Sequence, residues 1–434
     1  MSTVLLLATT TGYQIRSFGE AAGRIGVRLV FASDRCDRLD DPWWDQAIPV
    51  RFHDEAASLE ALRDALAAAP PDGILAVGDR PTVLAAHAAR LFGLAGHPPE
   101  AAAASRNKLA TREAFRRAGL PTPWFERVPL ESDVPSVAGR VPYPAVLKPL
   151  ALSGSRGVMR VNDPAELAAA FDRLRLLLAS PDVRVERDEA HGMAMIESFI
   201  PGAEYAVEGL LDRGRLSVLA IFDKPDPLDG PFFEETIYVT PSRAPEAAQR
   251  RIVEAVGTAA AALGLWHGPV HAECRLDGSD VYVLEVAARP IGGLCSRALR
   301  FGDRGSGIGD RGSGIGDPRT SLEELLLRHA VGEDVGGAVR EPDASGVMMI
   351  PIPKRGIYRR VDGVEAARAV RGIDDIRITA KPDATVVPLP EGKSYLGFIF
   401  ARADRPGRAE QALREAHARL SFTIEREVAL VPST

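Results

Sequence analysis

Over the first hundred positions, short apolar runs alternate with stretches of helical period. VLLLA (4–8) has the unbroken apolar character of a strand buried on both faces, and the small-residue turn TTTG follows it. Ile15, Phe18, Ala22 and Ile25 recur at helical spacing, which predicts a helix over 13–25. VRLVFAS (27–33) is the next strand, then a helix over 55–68, strand GILAVGD (73–79) and a helix over 81–92. Strands alternating with helices predict a Rossmann-like parallel sheet with helices on both faces. The TTTG turn lacks the G-x-G-x-x-G spacing, which argues against a dinucleotide fingerprint.

A basic stretch, SRNKLATREAFRRAGL (105–120), reads as one helix ending at Gly119, and PTPWF links it to a second unit. From about 141 the pattern becomes strand-rich: YPAVLKPL, the glycine loop SGSRGV (153–158), then VMRV. A helix over 163–179 is followed by strands AMIESFI, EYAVEGLL and RLSVLAIFDK, and by a helix over 244–263. HAECR (271–275) and VLEVAAR (283–289), joined by LDGSD, form a hairpin. GVMMIPIP, DIRITA and SYLGFIFARA, with a final helix over 406–419, predict an α+β third lobe. GDRGSGI at 302–308 repeats at 309–315, with patterned sequence on either side. A repeat so short and glycine-rich reads as a flexible surface insert, a tandem duplication whose one conceivable role is that of a lid.

Composition narrows the class. A chain of 434 residues exceeds one ordinary core, so about three domains are expected. Apolar content of 46% and charged content of 26% are those of a globular protein. The net charge of -6, with basic residues scattered among acidic ones, leaves no footprint for nucleic acid. Three cysteines, Cys36, Cys274 and Cys295, point to reduced thiols and the cytoplasm rather than to a disulfide frame or a zinc motif. No apolar run reaches membrane-spanning length, and VLLLA is too short for a secretory signal. The pair Trp43–Trp44 is expected in a loop packed on the first domain.

Four features carry chemistry. A three-residue loop, Gly278–Asp280, sets Glu273 directly opposite Glu285, whereas a two-residue loop sends them to opposite faces. Two carboxylates near 4 Å repel by roughly 4 kcal/mol at an effective dielectric of about 20. Such a pair calls for a cation, and Mg²⁺ suits carboxylates shared with phosphate oxygens; a pair of solvated strand residues is the alternative. Lys108, Lys148 and Lys224 all sit at element ends, where each ammonium meets either solvent or an anion. Glycines in SGSRGV let a backbone approach phosphate, although strand–loop–strand order excludes a P-loop and an ordinary hairpin has the same look. Glu197 precedes Phe199 and Ile200, a strand edge suited to an adenine, and Glu204 suits ribose hydroxyls; scattered acids on an edge strand are the plain reading. His267 and His271 flank the carboxylate strand without the spacing of a histidine metal pair, and Cys274 points away from Glu273 into the core.

Taken in order, Lys108, VLKP with Lys148, SGSRGV, IESFIPGAEYAVE, Asp223–Lys224, HAECR and LEVAARPIGGL resemble the ATP-grasp superfamily across nearly the whole chain. The resemblance implies α/β plus α+β architecture: a parallel-sheet N-terminal domain (1–104), an ATP-grasp subdomain pair and a C-terminal α+β lobe (341–434). The pair divides into a first part with the glycine-rich lid (105–210) and a second with the metal site and the 302–317 insert (211–340). It implies Lys108, Lys148 and the loop residues Ser153, Gly154, Ser155 and Gly157 on ATP phosphates. It places Glu197, Phe199 and Ile200 at the adenine and Glu204 at the ribose. Lys224 and Arg289 then hold the transferring phosphoryl group, and Glu273 and Glu285 hold Mg²⁺, with Mn²⁺ admissible. Ala287 stands where many relatives have asparagine, which leaves the second metal's ligands incomplete.

FDKPDPLDGPFFEETIYVTPS (222–242), PIGGL and GVMMIPIPKRGIY are similar to the dipeptide-forming L-amino-acid ligases. That narrower resemblance implies a carboxylate–amine ligase working through an acyl phosphate, with ADP and phosphate released. Glu235, Tyr238, Gly292 and Gly293 fall where such ligases contact substrate, and a homodimer is compatible with the architecture. A carboxylase or formyltransferase of nucleotide biosynthesis is the rival within the superfamily, and a non-catalytic ATP-binding module is the rival outside catalysis.

Overall fold

The structure, a computed structural model, describes residues 1–10, 14–34, 47–303 and 319–427. Trp43–Trp44, Cys36, half of the TTTG turn and most of the GDRGSGI repeat lie outside the described residues. The N-terminal unit runs β1 (Thr3–Ala8), α1 (Ile15–Ile25), β2 (Arg28–Ser33), β3 (Ile48–Pro49), α2 (Glu55–Leu66), β4 (Gly73–Val77) and α3 (Thr82–Leu91). Its strands pair in parallel in the order β3-β2-β1-β4. Leu5, Leu6 and Leu7 of β1 are all fully buried, as a central strand covered on both faces requires.

The expected single helix over 105–120 is instead two: α4 (Pro99–Arg106) and α5 (Lys108–Arg117). Asn107 between them adopts an extended backbone, and its side chain accepts the N–H groups of Leu109 and Ala110. An asparagine carbonyl competes well for free helix N–H groups, so it starts a new helix more readily than it continues an old one. The break puts Lys108 at the first helical position, with its backbone N–H on the carbonyl of Leu150.

Next come β5 (Phe125–Pro129), α6 (Val134–Ala138), β6 (Ala145–Pro149), β7 (Met159–Val161), α7 (Pro164–Leu178), α8 (Pro181–Arg184) and β8 (Met193–Ser198). They build an antiparallel sheet in the order β5-β8-β6-β7, backed by α7 through Leu167, Phe171 and Leu174. β9 (Ala203–Asp212), β10 (Arg215–Asp223), β11 (Ile237–Thr240), α9 (Glu246–Leu263), β12 (Gly268–Asp277) and β13 (Asp280–Ala287) follow. β14 (Arg300–Asp303), β15 (Thr320–Ser321), α10 (Leu322–Ala330) and β16 (Ala338–Arg340) flank the repeat. The chain then adds β17 (Ala344–Ile350), β18 (Gly356–Asp362), α11 (Val364–Arg368), β19 (Ile373–Ile378), β20 (Thr385–Val386), β21 (Gly397–Ala403), α12 (Pro406–Ala418) and β22 (Ser421–Glu425). One eight-stranded sheet, β13-β12-β9-β10-β11-β17-β21-β19, runs unbroken from the carboxylate hairpin into the C-terminal lobe. Strands β18, β20 and β22, a separate small sheet, gave no distinct signal in the sequence pattern.

Candidate active site

The β12–β13 hairpin reaches its register by an unexpected route. The turn has two residues, Gly278–Ser279, flanked by the pair Asp277 and Asp280. Such a turn alone would separate the two glutamates, but the register shifts between Glu273 and Cys274. Cys274 faces Val283 and Glu273 faces Glu285, so Leu284 is an extra residue. This β-bulge turns both Leu284 and Glu285 toward the cavity, while Val283 and Val286 stay in the core. The three-residue loop expected from sequence is therefore wrong, and the facing of the two carboxylates survives because the bulge supplies the missing step.

Arg112 holds the bulge. It is 2% exposed, and one terminal nitrogen donates to the carbonyls of Val283 and Leu284 at 2.8 and 3.0 Å. Its other two nitrogens fork onto the Glu197 carboxylate at 2.7 and 3.3 Å. Lys148 also donates to Glu197. Burial alone would raise the Glu197 carboxyl, but Arg112 and Lys148 outweigh it and hold the group down at about 2. Glu197 is thus the anionic centre joining α5, β6 and β8, rather than a free carboxylate at the cavity wall.

A cavity of about 300 Å³ opens between the two sheets and the N-terminal unit. Lys108, Lys148, Ser153, Gly154, Ser155, Glu197, Phe199, Ile200, Glu204, Glu235, Tyr238, Glu273, Glu285, Arg289, Gly292 and Gly293 all line it. Apolar walls come from Val146, Met195, Ile200 and Leu284. Gly157 does not reach it: with φ at 73°, it packs below its loop against Leu174, Leu177 and Pro149. The loop is anchored outside the cavity, because Gly157 N–H donates to the carbonyl of Pro390 and Arg156 Nε to that of Glu391, both at 2.8 Å.

Lys224 is the main departure from the expected roles. It is buried and does not line the cavity; its Nζ lies 2.8, 2.5 and 3.2 Å from Glu204, Glu235 and Glu273. These carboxylates outweigh burial and raise its pKa well above the ordinary lysine value. Lys224 therefore neutralises a carboxylate cage instead of presenting a free ammonium to a phosphoryl group. Glu204 is likewise engaged, by Lys224 and by Arg275 Nε at 2.8 Å. Two backbone groups of the Phe199–Ile200 edge are also taken: Phe199 N–H donates to the carbonyl of Pro144, and Arg275 donates to the carbonyl of Ile200.

The remaining charges are graded across the site. Burial and the charge of Glu273 push Glu235 up to about 7. Burial would raise Glu273 as well, but Lys224 and His271 hold it well below the usual carboxylate range. Burial and Glu273 together raise Glu285. His271, against burial, is pushed up to about 9 by Glu208 at 3.1 Å and by Glu273. An unfavourably placed anion opposite another anion is what a hard divalent cation relieves, so the Glu273–Glu285 pair fits Mg²⁺. Arg289 grips Asp79 through two nitrogens at 2.9 and 3.1 Å. Asp79 belongs to the loop at the carboxyl end of β4, and with Lys108, Glu285 and Ala287 it borders a small recess beside the main cavity.

Sequence reading missed Arg112, Asp79, Arg275 and the His271–Glu208 pair. Two signals were available: Arg112 stands four residues after Lys108 on one helix face, and an aspartate at the carboxyl end of a parallel strand is a usual place for a ligand-site residue.

Comparison with known proteins adds a family to this geometry. Residues 141–298 match the family ATP-grasp domain, residues 19–96 the ATP-grasp N-terminal domain, and residues 348–425 the L-amino acid ligase C-terminal domain 2. The crystal structure of L-amino acid ligase from Bacillus licheniformis superposes with a TM-score of 0.80 and 27% identity, covering 98% of this chain and 99% of that one. Alanine–anticapsin ligase of Bacillus subtilis is 32% identical over 218 residues, 47% of this chain and 45% of that protein. Protein y4rH of Sinorhizobium fredii is 25% identical over 339 residues, 77% of this chain and 64% of its own length. The matches thus span less than two thirds of these two curated relatives.

Proposed function

We propose, from the premise that this chain is an ATP-grasp protein with an L-amino acid ligase C-terminal domain, that it is an ATP-dependent carboxylate–amine ligase acting on amino acids. The observation that carries the reading is the bulged register that sets Glu273 against Glu285 at the cavity holding Lys108, Lys148 and Arg289. The likeness to ligases that join amino acids supports the substrate class. Buried thiols at Cys274 and Cys295 support a reducing, cytoplasmic setting.

Glu273 and Glu285 would hold Mg²⁺, which supplies charge neutralisation to the phosphates when bound. Lys108 and Lys148 border the cavity and bind phosphate oxygens. Ser153, Gly154 and Ser155 close over the phosphates by their backbone, and the apolar walls cover the purine. Glu204 meets the ribose edge once Lys224 and Arg275 share its oxygens.

The substrate carboxylate attacks the γ-phosphorus, and the bond from that phosphorus to the bridging oxygen breaks, leaving ADP and an acyl phosphate. Arg289, released from Asp79, grips the transferring group through two parallel hydrogen bonds. Lys224 acts one layer back, holding Glu204, Glu235 and Glu273 in place and in charge balance. An amine then attacks the acyl carbon, phosphate leaves, and an amide remains. Glu235, poised near neutrality, faces the cavity beside Tyr238 and is suited to take the amine's proton. Gly292, where an added Cβ would meet open space, leaves room for a substrate side chain, whereas Gly293 is held to glycine by its φ of 61° and by the Phe398 ring. Positioning and electrostatics, rather than covalent help from the protein, supply the acceleration.

A phosphate-release screen against amino acids, singly and in pairs, with mass detection of products, tests the reading. Pair-dependent release of ADP and phosphate with a new amide is expected. AMP as product, or stimulation by bicarbonate or formate instead of amines, would overturn it.

A further inference from the structure

A second cluster of ligating side chains lies away from the cavity. Asp212 ends β9 and His267 directly precedes β12, and the pairing of Gly268 with Leu211 brings these two neighbours together. His267 Nδ1 lies 3.3 Å from the Asp212 carboxylate. His329, in the last turn of α10, stacks on His267 with ring centroids 4.2 Å apart and planes 22° apart. One nitrogen from each histidine and one oxygen from Asp212 fall within 4.8 Å of one another.

We propose that Asp212, His267 and His329 form a binding site for a zinc-class divalent ion that fastens the β9 end, the β12 start and α10 together. The site is independent of the ligase centre: Glu273 is six residues further along β12, about 20 Å away at strand rise. Two features point to a ligand. His329 is 5% exposed, and its Nε2 is sealed from solvent with no hydrogen-bond partner among the described residues. His267 Nδ1 is buried too, and lacks hydrogen-bond geometry to the nearby carboxylate. Buried polar atoms are normally well paired, so an unpaired His329 nitrogen and a poorly oriented His267 nitrogen lying close to one carboxylate are atypical.

Donor chemistry selects the metal. Two imidazoles and one carboxylate suit Zn²⁺, Co²⁺ or Ni²⁺, whereas Mg²⁺ prefers oxygen alone. Burial lowers both histidines, His329 to about 4, so both rings are neutral and free to donate near pH 7. Asp212 is exposed on one side and leaves a fourth position to water. Nearly parallel rings do not aim at one point, so His267, the less buried of the two, must turn on binding. His97 is already engaged, accepting the Trp266 N–H at Nδ1 and donating from Nε2 to the carbonyl of Pro269. It orders the segment carrying His267 and is no ligand.

The test is Zn²⁺ titration of metal-stripped full-length protein in excess Mg²⁺, which keeps the ligase carboxylates occupied. One equivalent is expected to bind, raise the melting temperature, and with Co²⁺ give the visible band of a tetrahedral ion. Uptake should weaken at least tenfold in His267→Ala and Asp212→Asn, which lie near the surface and preserve the core, and persist in Glu285→Gln. His329→Ala serves as a further variant where it folds. No uptake by the wild type, or uptake unchanged in both His267→Ala and Asp212→Asn, would overturn the proposal.

Discussion

Arg112 ties the β5-β8-β6-β7 sheet to the carboxylate hairpin, and its removal has a magnitude that follows from its bonds. In Arg112→Met, Glu197 keeps only Lys148, and the carbonyls of Val283 and Leu284 lose their donor. Breaking a buried ion pair from one side costs about 3–5 kcal/mol. Each stranded carbonyl adds up to about 1–3 kcal/mol where water cannot reach it. Lys148 recovers part of the first cost, so a net loss of about 5 kcal/mol is expected, a large share of the roughly 5–15 kcal/mol of a typical domain. Arg112→Lys retains the charge but not the fork, and a single ammonium does not serve Glu197 and both carbonyls. It should lose about 2 kcal/mol. β13 is the edge strand of its sheet, so among the described residues no second strand pairs with the bulge. If it relaxes, the alternation of side chains carries Glu285 away from Glu273. Urea denaturation measures the first effect. Mn²⁺-dependent nucleotide binding to Arg112→Lys measures the second, with a loss of at least about tenfold in affinity expected. Both variants within about 0.5 kcal/mol of wild type, with unchanged metal–nucleotide affinity, would refute the reasoning.

Three further outcomes follow from buried ionisable groups. Glu285→Gln removes one of two facing anions, so metal-free stability should be no lower than wild type in urea denaturation while ADP formation is lost; normal turnover would reject the metal role. Lys224→Met takes the ammonium from Glu235 and, among the described residues, leaves Glu204 only Arg275 and Glu273 only His271 as ion-pair partners, and a loss of about 3–5 kcal/mol is expected by chemical denaturation. For His97, burial holds the folded pKa at about 4, below the unfolded value of about 6.5. Its contribution to stability is therefore full above pH 6.5 and is lost as pH falls toward 4, because the unfolded state takes up the proton first. Comparing stability from pH 7 to pH 4 with His97→Gln should show a shallower fall in the variant; identical slopes would remove His97 as the cause.

Much of the fold could be read from local pattern. The alternating N-terminal elements and the run of β6, β8, β9, β10 and β12 stand where apolar spacing placed them. The order of the motifs also pointed to the cavity, since their residues gather on its walls. What could not be read depends on partners distant in sequence. Nothing local tells a lysine after AIFD that three glutamates surround it, or ties Arg112 to strands 85 and 171 positions away. The hairpin is the instructive case. Turn length and bulge each shift the register by one step, and their sum sets Glu273 opposite Glu285. The two carboxylates therefore face each other although the turn is one residue shorter than the sequence pattern predicts.

The central claim is that a carboxylate becomes an acyl phosphate in this cavity, and isotope transfer tests it most directly. With an ¹⁸O-labelled carboxylate on the acid-side amino acid, ATP and an amine partner, mass spectrometry of the released phosphate should find one labelled oxygen for each amide formed, alongside ADP. Amide formation with unlabelled phosphate, or label appearing in AMP, would contradict the account.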